Sequence, residues 1–156
     1  MKETLDAIDQ QILDELLENS GRTKKALAKN LNLPLTTIHN RISKMEKMRA
    51  ILGYRATVDM KKLGKEIGAF INVTVNYLTP EFSQQEIAKK ISLMHEVSEV
   101  AIVTGGTDII VKLYAKDTSE LNEFVTKKLR SIKGIDKTNT AIILQEVSHS
   151  RKNLLK

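Results

Sequence analysis

The sequence predicts an α+β chain, with an N-terminal helix-turn-helix (winged-helix-like) unit followed by a ferredoxin-like βαββαβ domain. Three observations predict it. Three amphipathic helical patterns occupy the first 48 residues, the last two joined by a short link. After Arg49 the apolar period changes from near 3.6 to two. From residue 67 onward the patterns follow the order β-α-β-β-α-β, which folds as an antiparallel sheet with both helices on one face.

Leu5, Ile8, Ile12 and Leu16, widened by Leu13 and Leu17, form the stripe of a helix over 6–18, with Asp6 as N-cap, Asp9 in the first turn and "NSG" at 19–21 as its end. Thr23 is the expected N-cap of a two-turn helix, "KKALAKNL". The break "NLP" at 32–34 precedes the third helix, 35–48, whose stripe is Leu35, Ile38, Ile42 and Met45. "AILGYRATVD" (50–59) reads as a strand pair or an extended connector, and "MKKLGKE" as a turn. In "IGAFINVTVNY" (67–77) Ile67, Ala69, Ile71, Val73, Val75 and Tyr77 share one face, a strand signal. Pro80 is expected to open a helix running to about 94, with Ile87, Ile91 and Met94 inward. Two strand patterns, "VSEVAIVT" and "DIIVKLYA", flank "GGT". A helix over 118–132 carries the stripe Leu121, Val125, Leu129 and Ile132, and "IDKTNTAIILQEV" is the last strand. Domains are therefore expected at 1–49, a linker at 50–64, the ferredoxin-like domain at 65–148 and a basic tail at 149–156. The second face of the sheet keeps Phe70, Ile110, Ala141 and Ile143, so it is expected to pair with another subunit.

Composition limits the chemistry. With no cysteine there is no disulfide, thiolate nucleophile or thiolate metal site, which fits a reducing cytoplasm. No apolar run is long enough to cross a membrane, and "MKETLDAIDQQ" has no signal-peptide core. The net charge of +6 is unevenly placed: residues 1–21 hold one Lys against six acids, whereas residues 22–62 hold eleven Lys and Arg against two acids. A polyanion is the natural partner of that second segment. Within it, Thr36, Thr37, Asn40, Ser43, Lys44 and Lys47 fall in one arc of about 120° opposite the apolar stripe of the third helix, and no carboxylate lies among them.

The colinear series L-D-x-x-D-x-x-I-L, R-x-x-x-x-L-A, I-x-x-R-I-x-x-M-E, I-x-G-Y and G-x-x-D, from Leu5 to about Val147, closely resembles the Lrp/AsnC family of feast/famine transcription regulators. The resemblance implies a cytoplasmic DNA-binding dimer, often built into tetramers or octamers, whose DNA affinity or assembly responds to small molecules, usually amino acids. It implies no cofactor beyond such an effector. By position, residues 35–48 become the recognition helix. Thr104, Gly105, Gly106, Thr107 and Asp108 become the effector turn, and Thr138 and Thr140 lie on the strand that approaches it. Two positions depart from the family pattern: Pro34 stands where Ser commonly caps the recognition helix, and Ala26 where Glu commonly completes the capping box of Thr23.

A helix in the major groove needs donors and acceptors for base edges, cations for flanking phosphates and no acid facing the backbone. Thr36, Thr37 and Asn40 are the candidates for base edges, with His39 and Arg41 at the margins of the arc, Arg41 reading guanine or holding phosphate. Lys44, Lys47, Arg22, Lys24 and Lys25 are the expected phosphate contacts. For the effector, Gly105 and Gly106 let backbone amides approach a carboxylate and Asp108 can hold an α-amino group; "GGTD" is equally a plain hairpin loop. An effector-independent architectural DNA binder is the alternative function. Catalysis is not expected, because His39, His95 and His149 are scattered and "HEVSE" lacks the second His of a zinc-protease helix. RNA binding on the sheet is not expected either, since only 4% of the chain is aromatic.

Overall fold

A computed structural model describes residues 4–76 and 83–147. The chain divides into two compact units, the first carrying three helices and continuing to Val58, the second spanning Asp59–Glu146. In the first unit, α1 (Ala7–Glu18), α2 (Lys24–Leu31) and α3 (Leu35–Lys47) follow one another. Asp6 caps α1 by accepting from the Ile8 and Asp9 N–H groups, and Asp9 returns a bond to the Asp6 N–H at 3.2 Å. This is a reciprocal capping box with Asp in the place usually held by Glu. Thr23 Oγ1 accepts from the Ala26 N–H, the half of a box that Ala26 leaves possible. Asn32 ends α2 in the left-handed region at φ 52°, a conformation Asn tolerates better than most residues.

Pro34 gives α3 no side-chain cap, but its φ of −57° already suits a helix entrance. The helix closes on a Schellman motif: Arg49 is left-handed at φ 59°, its N–H reaches the Glu46 carbonyl, and the Ala50 N–H reaches the Met45 carbonyl at 2.9 Å. Ile12, Leu16, Leu27, Ile38, Ile42 and Met45 form the core of the unit. Leu35, expected on that stripe, is instead half exposed at 50%. It sits in the first turn, and the partly buried Leu31 and Leu33 pack against the core from the approach to that turn. No strand forms over 50–59, so this segment is an extended connector. Its period-two residues Leu52, Tyr54 and Val58 are exposed, and an isolated ribbon does not hold itself together in water. Two side-chain bonds anchor it, Ser20 Oγ to the Arg55 carbonyl and Tyr54 Oη to Glu46.

The second unit opens with a 3₁₀ turn at Lys61–Leu63 that ends on Gly64 at φ 74°, where an L side chain would be strained. β1 (Ile67–Val75), α4 (Gln84–Ser92), β2 (Val97–Ile102), β3 (Ile109–Ala115), α5 (Thr118–Glu123) and β4 (Ile135–Ile142) follow. All pairings are antiparallel, in the order β2-β3-β1-β4. Ala69, Ile71, Val73, Val75, Ile109, Val111 and Leu113 face the helices and are buried with Ile87, Ile91, Leu121 and Phe124. Tyr77, Pro80 and the tail with His149 lie outside the described residues. α4 begins at Gln84 beneath the cap of Ser83, whose side chain accepts from the Glu86 N–H.

Two details depart from expectation. The helix over 118–132 changes after Glu123 into a π turn, Phe124–Leu129. The buried positions are Leu121, Phe124 and Leu129, with Ile132 buried just beyond the helix and Val125 partly buried. Three residues then five separate the first three, and the wider π turn brings Phe124 and Leu129 to the same side. The other departure concerns the second sheet face. Phe70 is 41% exposed and pairs with Ala141 across the strands, but Ile110 and Ile143 are half-buried. Part of the cover comes from the chain itself: Lys112 Nζ lies 5.8 Å from the Phe70 ring centroid and bonds Glu146 at 2.8 Å, and Tyr114 Oη also bonds Glu146. Gly68 permits this, since a Cβ there would meet Ile143 and Tyr114 at 3.1–3.2 Å.

Candidate functional site

The polar arc of α3 is presented as the sequence leads one to expect. Thr36, His39, Asn40, Lys44 and Lys47 are exposed, while Thr37 and Ser43 are half-buried. His39, Asn40, Ser43, Lys44, Lys47 and Met48 line a shallow concavity. Among the described residues the Asn40 amide makes no bond within the chain, so both its donor and its acceptor remain open. Glu46, the acid on α3, is held by Tyr54 at 2.8 Å, away from the arc. Burial, and then the Glu46 carboxylate, pushes the Tyr54 phenol up to about 12, so this bond keeps its proton throughout the neutral range. Lys24 and Lys25 are exposed at the start of α2 and make no ion pair among the described residues.

Two cations expected at DNA, Arg22 and Arg41, are paired with carboxylates of the same unit. Arg22 bonds Glu15 and, at 2.9 Å, Glu18, both on α1. Arg41 reaches Asp6 at 2.6 Å and Asp9 at 2.9 Å, and Asp9 is 2% exposed. The acids of α1 explain both: their side of the helix needed cations, and these two arginines supply them. The Arg41 guanidinium beside Asp6 holds that carboxyl below its ordinary value. The contribution of such a pair is present above the ordinary carboxylate range and is lost only as pH falls through the depressed one, so the clamp persists at neutral pH.

The turn between β2 and β3 is more than a plain hairpin. Asp108 accepts from the Val75 N–H at 2.7 Å and from Gln84 Nε2 at 3.0 Å, tying β3 to the end of β1 and the first turn of α4. Val73 O accepts from Thr107 Oγ1 and from the Asp108 N–H, each at 3.0 Å. The register sets Thr138 opposite that same Val73, with Thr140 opposite Ile71. Thr107, Asp108 and Thr138 therefore converge on one end of the sheet, with Thr104, Gly105 and Gly106 in the loop beside them. Gly105 is at φ 121° with open space around it, and Gly106 also faces open space. Gln84 was not foreseen, because nothing in its spacing sets it apart from the solvent face of α4.

A model described as Lrp/AsnC ligand binding domain matches residues 68–153, and one described as winged helix-turn-helix DNA-binding matches residues 5–51. The chain belongs to the Lrp/AsnC family. It is thus a DNA-binding transcriptional regulator with a small-molecule-binding domain. Among its relatives, an uncharacterized HTH-type transcriptional regulator of Pyrococcus furiosus is 35% identical over 144 residues, covering 91% of this chain and 94% of that protein. A similar regulator of Pyrococcus horikoshii is 33% identical over 144 residues, covering 91% and 94%. The structure of a Neisseria meningitidis transcriptional regulator in complex with L-methionine has a TM-score of 0.87 at 25% identity, covering 98% of this chain and 100% of that one. Escherichia coli AsnC has a TM-score of 0.78 at 28% identity, covering 96% and 99%. No described helix of this Lrp/AsnC chain is long and apolar enough to cross a membrane.

Proposed function

We propose that this regulator reads duplex DNA through the exposed arc of α3 and that an amino acid, received at the turn of Thr104–Asp108 with Thr138 and Thr140, modulates that binding. Thr36, Thr37 and Asn40 meet base edges, His39 flanks them, and Lys24, Lys25, Lys44 and Lys47 meet phosphates. Arg22 and Arg41 stay within the unit. The observation that carries this reading is the acid-free arc: six hydrogen-bonding or cationic side chains on one face, with the helix's own carboxylate drawn off by Tyr54. The amino acid is supported by the L-methionine bound to the Neisseria regulator. One unit offers few phosphate contacts, so two are needed for tight binding, and Phe70 with Ala141 supplies an apolar patch through which chains pair, with tetramers or octamers built on the pair. No catalytic role is assigned.

Gel-shift titration on the DNA upstream of the protein's own gene, with and without the twenty amino acids, tests the reading. Asn40→Ala is expected to weaken the specific complex by about 1–3 kcal/mol and to leave random DNA almost unaffected; equal losses on both would make Asn40 a backbone contact. Asp108→Asn, which keeps an acceptor for Val75, is expected to retain operator binding and to lose the amino-acid response. A response unchanged by that substitution places the effector elsewhere, and a wild-type complex indifferent to every amino acid favours the architectural reading.

A further inference from the structure

We infer that the second unit carries a site for a zinc ion made by His95, Glu96 and Glu120. His95 and Glu96 sit in the short junction between α4 and β2, and Glu120 is in the first turn of α5. One ligand atom from each lies within 4.8 Å of the others. His95 Nδ1 is 3.2 Å from Glu96 Oε2. The decisive feature is Glu96. Its side chain is 2% exposed, one carboxylate oxygen is held by Lys128, and the other, Oε2, is buried with His95 Nδ1 3.2 Å away but without the geometry of a hydrogen bond. A buried carboxylate oxygen without a donor is costly, and a metal ion supplies the missing positive partner.

The donor set selects the ion. An imidazole with two carboxylates suits zinc better than magnesium or calcium, which take oxygen ligands. Zinc bonds of about 2.0–2.2 Å need ligand atoms roughly 3.3–3.6 Å apart, so the site must contract slightly. His95 can provide that movement, because its side chain is 75% exposed, and the same opening admits water to complete the coordination. Lys65 stands in competition: its ammonium bonds both Glu120 oxygens, at 3.0 and 3.2 Å. Two carboxylates balanced by Lys65 and Lys128 give a neutral cluster without the ion, so folding does not require it. Zinc displaces Lys65 from Glu120 and ties the α4–β2 junction to α5.

Equilibrium dialysis of the chelator-treated full chain against zinc, with thermal unfolding alongside, tests the site. One zinc per chain and a raised unfolding midpoint are expected. His95→Ala, an exposed change that leaves the fold intact, should weaken binding about tenfold or more and abolish the midpoint shift. Lys65→Met should tighten binding several-fold, an effect that surface histidines elsewhere would not produce. No stoichiometric uptake, or uptake that survives His95→Ala and is lost on His39→Ala, overturns the assignment.

Discussion

Replacing Arg41 by alanine is expected to destabilise the N-terminal unit by about 3 kcal/mol, because it leaves the Asp9 carboxylate buried with its cation gone. Chemical unfolding followed by circular dichroism measures it. The loss comes from the stranded charge rather than from the bond itself, so Arg41→Ala combined with Asp9→Ala should recover part of it. A single-variant loss below about 1 kcal/mol would mean that water reaches Asp9 and that Arg41 is free to serve DNA. DNA binding separates the same two cases. As a clamp between α1 and α3, Arg41 fixes the angle of the recognition helix, and its loss should weaken all sequences through the unit's stability. As a base contact it would weaken one sequence and leave the unit firm.

Phe124→Ala should cost the second unit about 3–5 kcal/mol, the usual consequence of emptying a fully buried aromatic site. Phe124 is 1% exposed and stands at the start of the π turn. The wide turn exists to bring Phe124 and Leu129 to one side, so its removal also takes away the reason for the widened backbone. Hydrogen exchange on the amides of 118–132 should accelerate, while those of the first three helices keep their protection. A loss under about 1.5 kcal/mol would indicate that the segment relaxes into an ordinary α-helix and fills the space with Val125.

Both arginines show where sequence patterns stop. Periodicity located α1, α3 and β1, because burial on one face leaves a mark at every second, third or fourth residue, whereas α2 was read from its cap and the other strands from their β-rich composition. It also placed Asp6 and Thr23 as caps. The α5 stripe was legible, with Leu121, Leu129 and Ile132 buried and Val125 packed against the core, but its 3.6 period missed Phe124, a large aromatic side chain beside the stripe where the backbone widens. The polar arc was legible from charge sign alone. The ion pairs of its neighbours were not, since Arg41 meets Asp6 and Asp9 across more than thirty residues, a separation that no local pattern spans. The acid-rich α1 did carry a hint: six acids in 21 residues must face something. Asp108 was singled out for an α-amino group, and its bonds to Val75 and Gln84 show a side chain that ties the turn to β1 and α4, which no local pattern announces.

The internal pairing of Arg22 and Arg41 also changes what salt does to this regulator. Each cation that neutralises a phosphate releases condensed counterions, and the logarithm of affinity falls with the logarithm of salt in proportion to their number. A tally of positive residues in the basic segment would forecast a steep dependence. Arg22 and Arg41 are already paired with carboxylates before any nucleic acid arrives; while they stay so they neutralise no phosphate and release none of its counterions. On the proposed reading the complex is expected to be less sensitive to ionic strength than the protein's isoelectric point of about 9.5 suggests, with more of its discrimination resting on the uncharged groups of α3.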